Sequence, residues 1–231
     1  MTLEHTIIRL SVNPEGFTDN VDDLTADMFE SALPVQHSHD YFADDDLGLY
    51  IGVWDTTDMV ETAALYGMDE FMVLIEGAAV IKNNNTNTSE TILAGESFII
   101  PKGYDCQWLQ TGYLRKFYVI AEKACTKKVS LAPSKDGIVR FAATTALGNS
   151  IYYKSADQHF ISGAFKGNIV DSPIASSVQR RFIYLKAGFV TLIDSNLTEY
   201  NFKAGDAFLL TGTQKFWRAS EEITHHYVEL S

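Results

Sequence analysis

Glu70 and Cys106 are the two side chains of this 231-residue chain whose types and settings suit chemistry. Glu70 opens an apolar run, Phe71-Met72-Val73-Leu74-Ile75, that closes on Glu76-Gly77. A carboxylate on such a strand faces an interior, where an unpaired charge is costly and its pKa is pushed up. The chain must offer it a partner, and Lys116, Arg115 and the Tyr66 hydroxyl are the candidates. Glu70 then has two roles open to it: a buried structural network, or a polar pole for a small ligand that also transfers protons. Cys106 reads either as a small buried hydrophobe or as a nucleophile. As a nucleophile it needs a base or a positive neighbour, and Lys116 is the one nearby candidate. Trp54, Tyr66, Trp108 and Tyr118 would wall one cavity if they share the inward face, making with Glu70 and Lys116 a small apolar pocket with a few polar groups.

Two histidine pairs are less promising. His37-Ser38-His39 has a metal-like spacing, but it lies in an acidic stretch with no Glu following at a useful distance. His225 and His226 are adjacent on the last strand, where neighbouring side chains point to opposite faces, so only one of them can face inward.

The elements that must position these residues read as strands. Two apolar runs, each followed by a Gly-bearing turn, flank the polar loop Asn83–Ser89, and Arg115-Lys116-Phe117-Tyr118 closes the set. A first strand is expected over Thr6–Val12 and another over Gly48–Trp54, with a polar acidic loop over Val35–Asp46. Asp22–Leu33 has the spacing of a short helix, with Leu24, Met28 and Ala32 on one face and Pro34 ending it.

The pattern then repeats. Gly52-Val53-Trp54 returns as Gly163-Ala164-Phe165, Phe71 to Gly77 as Phe182 to Gly188, and Ala94 to Phe98 as Ala204 to Phe208. Trp108 returns as Trp217, and Tyr118-Val119 as Tyr227-Val228. The chain is therefore expected to be all-β: two tandem jelly-roll β-barrels, residues 1–122 and 123–231, with a short helix near the N-terminus and a connection over Glu122–Lys135. A parallel α/β fold would need amphipathic helices between the strands.

The formal charge of −12 argues against nucleic acid and against anionic membrane. Between Leu10 and Ile81 there are sixteen Asp and Glu and no Lys or Arg. That span is a solvated face, or a docking surface for a basic partner or an ion. No run of apolar residues is long enough to span a bilayer, and Met1–Leu10 does not read as a signal peptide. Two cysteines, Cys106 and Cys125, make no disulfide framework, so a reducing cytoplasm is the expected setting. Monomer and homodimer both remain open.

The paired motifs resemble the cupin superfamily, whose first motif runs G-x5-H-x-H-x3,4-E-x6-G and whose second runs G-x5-P-x-G-x2-H-x3-N. Glu70-x6-Gly77 is similar to the end of the first motif, and Gly95-x5-Pro101-x-Gly103 to the start of the second. The likeness covers about residues 50–120, with a degenerate copy at 160–230. Trp54, Tyr66, Glu70, Gly77, Pro101, Gly103, Cys106, Trp108 and Arg115-Lys116-x-Tyr118 resemble one cupin subgroup, which includes ethanolamine-utilisation cupins and relatives of ureidoglycine aminohydrolase. The resemblance implies a bicupin. It also implies where metal ligands should stand: at Ala63 and Leu65, or Ala64 and Tyr66, at Glu70 and at Cys106. Only Glu70 and Cys106 could coordinate, whereas a catalytic zinc takes three protein ligands and a water. No tightly bound metal or other cofactor is expected. In the second copy Arg181 stands for Glu70, Thr211 and Thr213 for Pro101 and Gly103, and Phe216 for Cys106, so that copy is expected to be structural.

The expected function is binding of a small polar metabolite in the N-terminal barrel, with Glu70 and Lys116 as poles and Trp54, Tyr66, Cys106, Trp108 and Tyr118 as walls. A metal-assisted hydrolase or isomerase of a small nitrogenous or carbohydrate metabolite is the alternative that the resemblance implies, with Glu70 and Cys106 as its catalytic candidates. A ligand-sensing module using the acidic span is a third.

Overall fold

The computed structural model describes residues 7–122, 137–142, 146–168, 172–173, 180–194, 196–212, 216–219 and 221–231. The expected connection over Glu122–Lys135 and the second cysteine, Cys125, fall almost wholly outside these residues, Glu122 alone being among them. The described chain is built of strands. In its first part they are β1 (Ile7–Leu10), β2 (Gln36–Asp44), β3 (Leu49–Thr56), β4 (Met59–Val60), β5 (Ala64–Leu65) and β6 (Asp69–Glu76). Then come β7 (Ala78–Asn83), β8 (Ser89–Leu93), β9 (Ser97–Ile100), β10 (Asp105–Gln110), β11 (Leu114–Ala121) and β12 (Val139–Arg140). The second part has β13 (Gly148–Lys154), β14 (Phe160–Gly167), β15 (Ser172–Pro173), β16 (Arg180–Ala187) and β17 (Phe189–Ile193). It ends with β18 (Glu199–Lys203), β19 (Ala207–Thr211), β20 (Phe216–Arg218) and β21 (Ile223–Leu230). No helix among the described residues is long and apolar enough to cross a membrane.

Two compact units result. In the unit Ser11–Arg140, a six-stranded sheet in the order β12-β9-β6-β11-β3-β2 faces a sheet in the order β4-β10-β7-β8, with β5 also on β10. Every pairing is antiparallel. Inward residues of both sheets share one core: Met72, Leu74, Phe98 and Ile100 from the first, Met59, Ala79, Ile81, Ile92 and Trp108 from the second. β7 shows why one face turns in, since Ala79, Ile81 and Asn83 are buried while Ala78, Val80 and Lys82 are not. The other unit comprises Met1–Leu10 and Phe141–Ser231. Its sheets run β1-β19-β16-β21-β14-β13 and β15-β20-β17-β18, around Ile183, Leu185, Val190, Leu192, Phe202, Phe208 and Trp217.

The duplication holds at the level of register. Tyr118 lies opposite Gly52 as Tyr227 lies opposite Gly163. A bulge interrupts β6/β11 at Ile75 and β16/β21 at Lys186, equivalent places in the two copies. The units do not, however, coincide with 1–122 and 123–231. β1, at the start of the chain, pairs with β19, and β12, which precedes β13, pairs with β9. Each copy's leading strand completes the sheet of the other copy.

Two local expectations are corrected. Asp22–Leu33 is not a helix; its only helical turn is the 3-10 turn Ala26–Met28. The backbone there pairs sideways with the β4 edge. Glu30 N–H donates to the Val60 carbonyl at 2.8 Å, Thr62 N–H donates to the Met28 carbonyl at 2.9 Å, and Phe29 bridges Glu61. Groups used this way cannot close an i to i−4 ladder. Phe29 is buried and Met28 exposed, the reverse of the helical face. Val35–Asp46 is mostly the nine-residue edge strand β2 rather than a loop. Its polarity suits an edge, which has one side open to water.

Candidate functional site

β6 and β11 are the central neighbours of the six-stranded sheet, and they carry Glu70, Met72 and Lys116 on its inner face. Glu70 and Lys116 are 3% and 6% exposed. The Lys116 ammonium donates to Glu70 Oε1 at 2.8 Å and lies 3.3 Å from Met72 Sδ. It also sits 4.5 Å from the Trp54 ring and 4.8 Å from the Trp108 ring, with the two indoles edge-to-face at 6.2 Å. Cation–π attraction of this kind is strongest where water is excluded. The Tyr66 hydroxyl donates to the other Glu70 oxygen. Tyr66 is held in place by its backbone: its N–H donates to the Tyr104 carbonyl at 2.9 Å, and the Tyr66 carbonyl accepts from Gly103 N–H at 2.7 Å. Burial, and then the negative charges of Glu70 and Glu61, push the Tyr66 phenol well above its ordinary pKa, so it remains a donor.

Of the expected site residues, Trp54, Tyr66, Glu70, Trp108 and Lys116 converge. Cys106 shares their core, packed with Tyr66 and Trp108. Burial first, then Glu61 and Asp105, push its thiol up to about 12. At neutral pH the thiol keeps its proton and lies among apolar neighbours. Tyr118 lies on the inner face but is tied off elsewhere: its hydroxyl donates to Asp40 Oδ1 at 2.6 Å. Arg115, one candidate partner for Glu70, points away. It meets the buried Asp55 at 3.1 Å, in a cluster where Tyr113 donates to Asp55 at 2.6 Å and His37 Nδ1 approaches it at 2.7 Å. His37 is thus a partner of Asp55, and His39 packs edge-on to Tyr41 at 4.7 Å. His225 lies inside its own barrel, whereas His226 contacts the Phe141 ring at 4.8 Å. By strand register Phe216 falls at the place of Gln107, one residue past that of Cys106.

One site residue was not anticipated. Glu61 follows β4 and is half-buried beside Glu70 and Lys116. Its carboxyl is pushed up to about 7, chiefly by burial, with Lys116 pulling it down and Glu70 adding to the rise. Gln107 Nε2 donates to its backbone carbonyl at 2.9 Å. The available signal was its position two residues before Ala63, where the first motif begins to call for ligands.

The donor set does not fit the metal ion that the barrel type implies. The motif-one places are Ala63 to Tyr66, Glu70 is engaged by an ammonium and a phenol, and the Cys106 thiol holds its proton. Among the described residues no three His, Cys, Asp or Glu side chains converge. The Lys116 ammonium already supplies the positive charge that Glu70 needs.

No family model matches the chain, and no curated protein matches it. Solved structures do. A protein of unknown function of the DUF861 family from Pseudomonas syringae pv. tomato matches with a TM-score of 0.73 and 16% identity, over 98% of this chain and 100% of that one. A putative glyoxylate-induced protein from Pseudomonas aeruginosa gives 0.64 and 10%, over 91% and 84%. A cupin 2 conserved barrel domain protein from Leptotrichia buccalis gives 0.59 and 10%, over 87% and 91%. At these identities the likeness is one of fold, and the fold is the cupin-type barrel in tandem.

Proposed function

We propose that the N-terminal barrel binds a small polar metabolite without a tightly bound metal ion. The observation that carries this reading is the buried Lys116–Glu70 pair, closed by Tyr66 and roofed by Trp54 and Trp108. It combines a few oriented polar groups with aromatic walls, the make-up of a small-molecule site. Trp54, Tyr66 and Glu61 are each only partly buried, and it is from their side that a ligand would enter. The test is thermal denaturation of chelator-treated protein against a panel of small amines, amides and hydroxy acids. A compound that raises the midpoint in the wild type and fails to do so in Glu70→Gln supports the reading. Stoichiometric transition metal by elemental analysis, with stability lost on chelation, refutes it.

Glu61 favours a second reading, an isomerase or hydrolase working by proton transfer. A carboxyl titrating near neutrality can both accept and release a proton at physiological pH. Under that reading, Glu61→Gln abolishes turnover of a bound compound while its affinity stays the same; under the binding reading, affinity alone responds.

A further inference from the structure

The C-terminal barrel carries a polar centre at the register places of Glu70 and Lys116. Arg181 lies opposite Glu229 and His225 opposite Leu185, as Glu70 lies opposite Ile120 and Lys116 opposite Leu74. His225 is 3% exposed and is ringed by Phe165, Trp217 and Tyr227 at 5.2, 5.4 and 6.1 Å. This is the same kind of aromatic cage that holds Lys116.

The two centres differ in how they are closed. In the N-terminal barrel the cage cation meets Glu70, and Glu70 meets Tyr66. In the C-terminal barrel the circuit is open. Arg181 donates one terminal N–H to Glu229, and its guanidinium carbon lies 5.7 Å from the Tyr227 ring. Its Nε and the Nδ1 of His225 are both buried, and neither has a hydrogen-bond partner among the described residues. A buried polar atom left unmatched is costly, and a ligand able to match it would recover that cost. Burial first, then Arg181 and His226, hold the imidazole neutral, with a pKa of about 3. A neutral imidazole can present N–H at Nδ1, and an Arg Nε can only donate. With the proton on Nδ1, two unmatched donors face inward, and they suit an acceptor-rich anion and repel a cation.

We propose that the interior of the C-terminal barrel is a second ligand site, for a small carboxylate that accepts from Arg181 Nε–H and His225 Nδ1–H. Glu229 keeps its own terminal nitrogen of Arg181, so both carboxylates fit on one guanidinium. Glu229 is partly exposed, which screens the two negative charges from each other. The rings of Phe165, Trp217 and Tyr227 limit the rest of the ligand to a short apolar body.

The test uses the full-length protein, labelled with nitrogen-15, and acetate as the probe, with chloride at matched ionic strength as control. Saturable shifts of the His225 imidazole nitrogens and the Trp217 indole N–H, with Trp54 and Trp108 unmoved, are the expected result. Affinity should fall roughly tenfold or more in Arg181→Met and in His225→Phe. Arg181→Lys, which keeps the charge and removes Nε, should weaken acetate similarly and serves if Arg181→Met fails to fold. Absence of saturable shifts, equal shifts with chloride, or undiminished affinity in the Arg181 variant that folds would each overturn the proposal. The outcome is independent of the N-terminal site, whose reporters are different indoles.

Discussion

Lys116 and Glu70 are worth more to each other than either is to the fold. Two charges taken out of water attract strongly but also lose their hydration, so the intact pair adds little net stability. Removing one partner is different, because the other charge is then stranded. Lys116→Met should therefore cost about 3–5 kcal/mol, and the double variant Glu70→Gln/Lys116→Met should recover most of it. Urea denaturation of the four proteins completes the cycle; a double variant as unstable as Lys116→Met would show that the pair is not the source of the loss. Glu61 gives a pH dependence with a definite sign. Its folded pKa, about 7, lies above the ordinary 4.5, so the folded state holds the proton more tightly. That contribution is full below pH 4.5, declines as pH rises and is gone above 7. Glu61→Gln should thus flatten the stability profile between those values, as seen in denaturation midpoints across pH. Cys106, with its pKa raised to about 12, should resist iodoacetamide at pH 8 until the protein unfolds, as peptide mass mapping will show. That Glu70 needs a partner was legible, because a carboxylate amid Phe71–Ile75 has to face inward. Which partner it takes was not. Arg115 and Lys116 are adjacent, and only the bulge register beside them decides which one points in. The inward face and the family resemblance both point Tyr118 at the pocket; its reach to Asp40 instead depends on the side-chain-free space over Gly52 on the neighbouring strand.

That space is where strand pairing becomes tightest. A Cβ at Gly52 would overlap both the His39 carbonyl and the Tyr118 hydroxyl, and one at Gly163 would overlap the Ser150 carbonyl and the Tyr227 hydroxyl. The same need at the same register in both copies explains why the Gly-x-aromatic signal survives the duplication. Gly52→Ala should cost about 1–3 kcal/mol through overpacking, and should shift the Tyr118 environment as read by near-UV circular dichroism. An unchanged midpoint would mean that β2 moves aside freely. The central strands announced themselves as apolar runs closed by Gly-bearing turns, and the offset copies announced the tandem architecture. β2 did not, because its residues are mostly polar on both faces and its bulge between Asp40 and Phe42 breaks the period. The segment Asp22–Leu33 carries helical spacing, but its N–H and C=O groups find partners on β4 first, and tertiary pairing overrides the local pattern.

The exchange of leading strands ties the two halves of the sequence together in a way no local pattern could reveal, since β1 and β12 are four and two residues long and say nothing of their partners. β1 is nonetheless well secured. Ile7 and Leu10 are buried, Arg9 meets Asp206 at 2.8 Å, and its guanidinium lies 4.1 Å from the Phe202 ring. All four of its residues pair with β19, which carries Phe208 and Leu210 of the C-terminal core. Deleting residues 1–10 therefore strips one edge of β19 and uncovers part of that core, while leaving every strand of the Ser11–Arg140 unit in place. Native-state hydrogen exchange separates the two effects. The amides of Ala207–Thr211 that face β1 should exchange far faster in the truncated chain, while those of β6 and β9 keep their wild-type protection. Unchanged protection along β19 would mean that its order is set by β16 alone. Accelerated exchange in β6 as well would mean that loss of a single edge strand lowers the stability of both units at once.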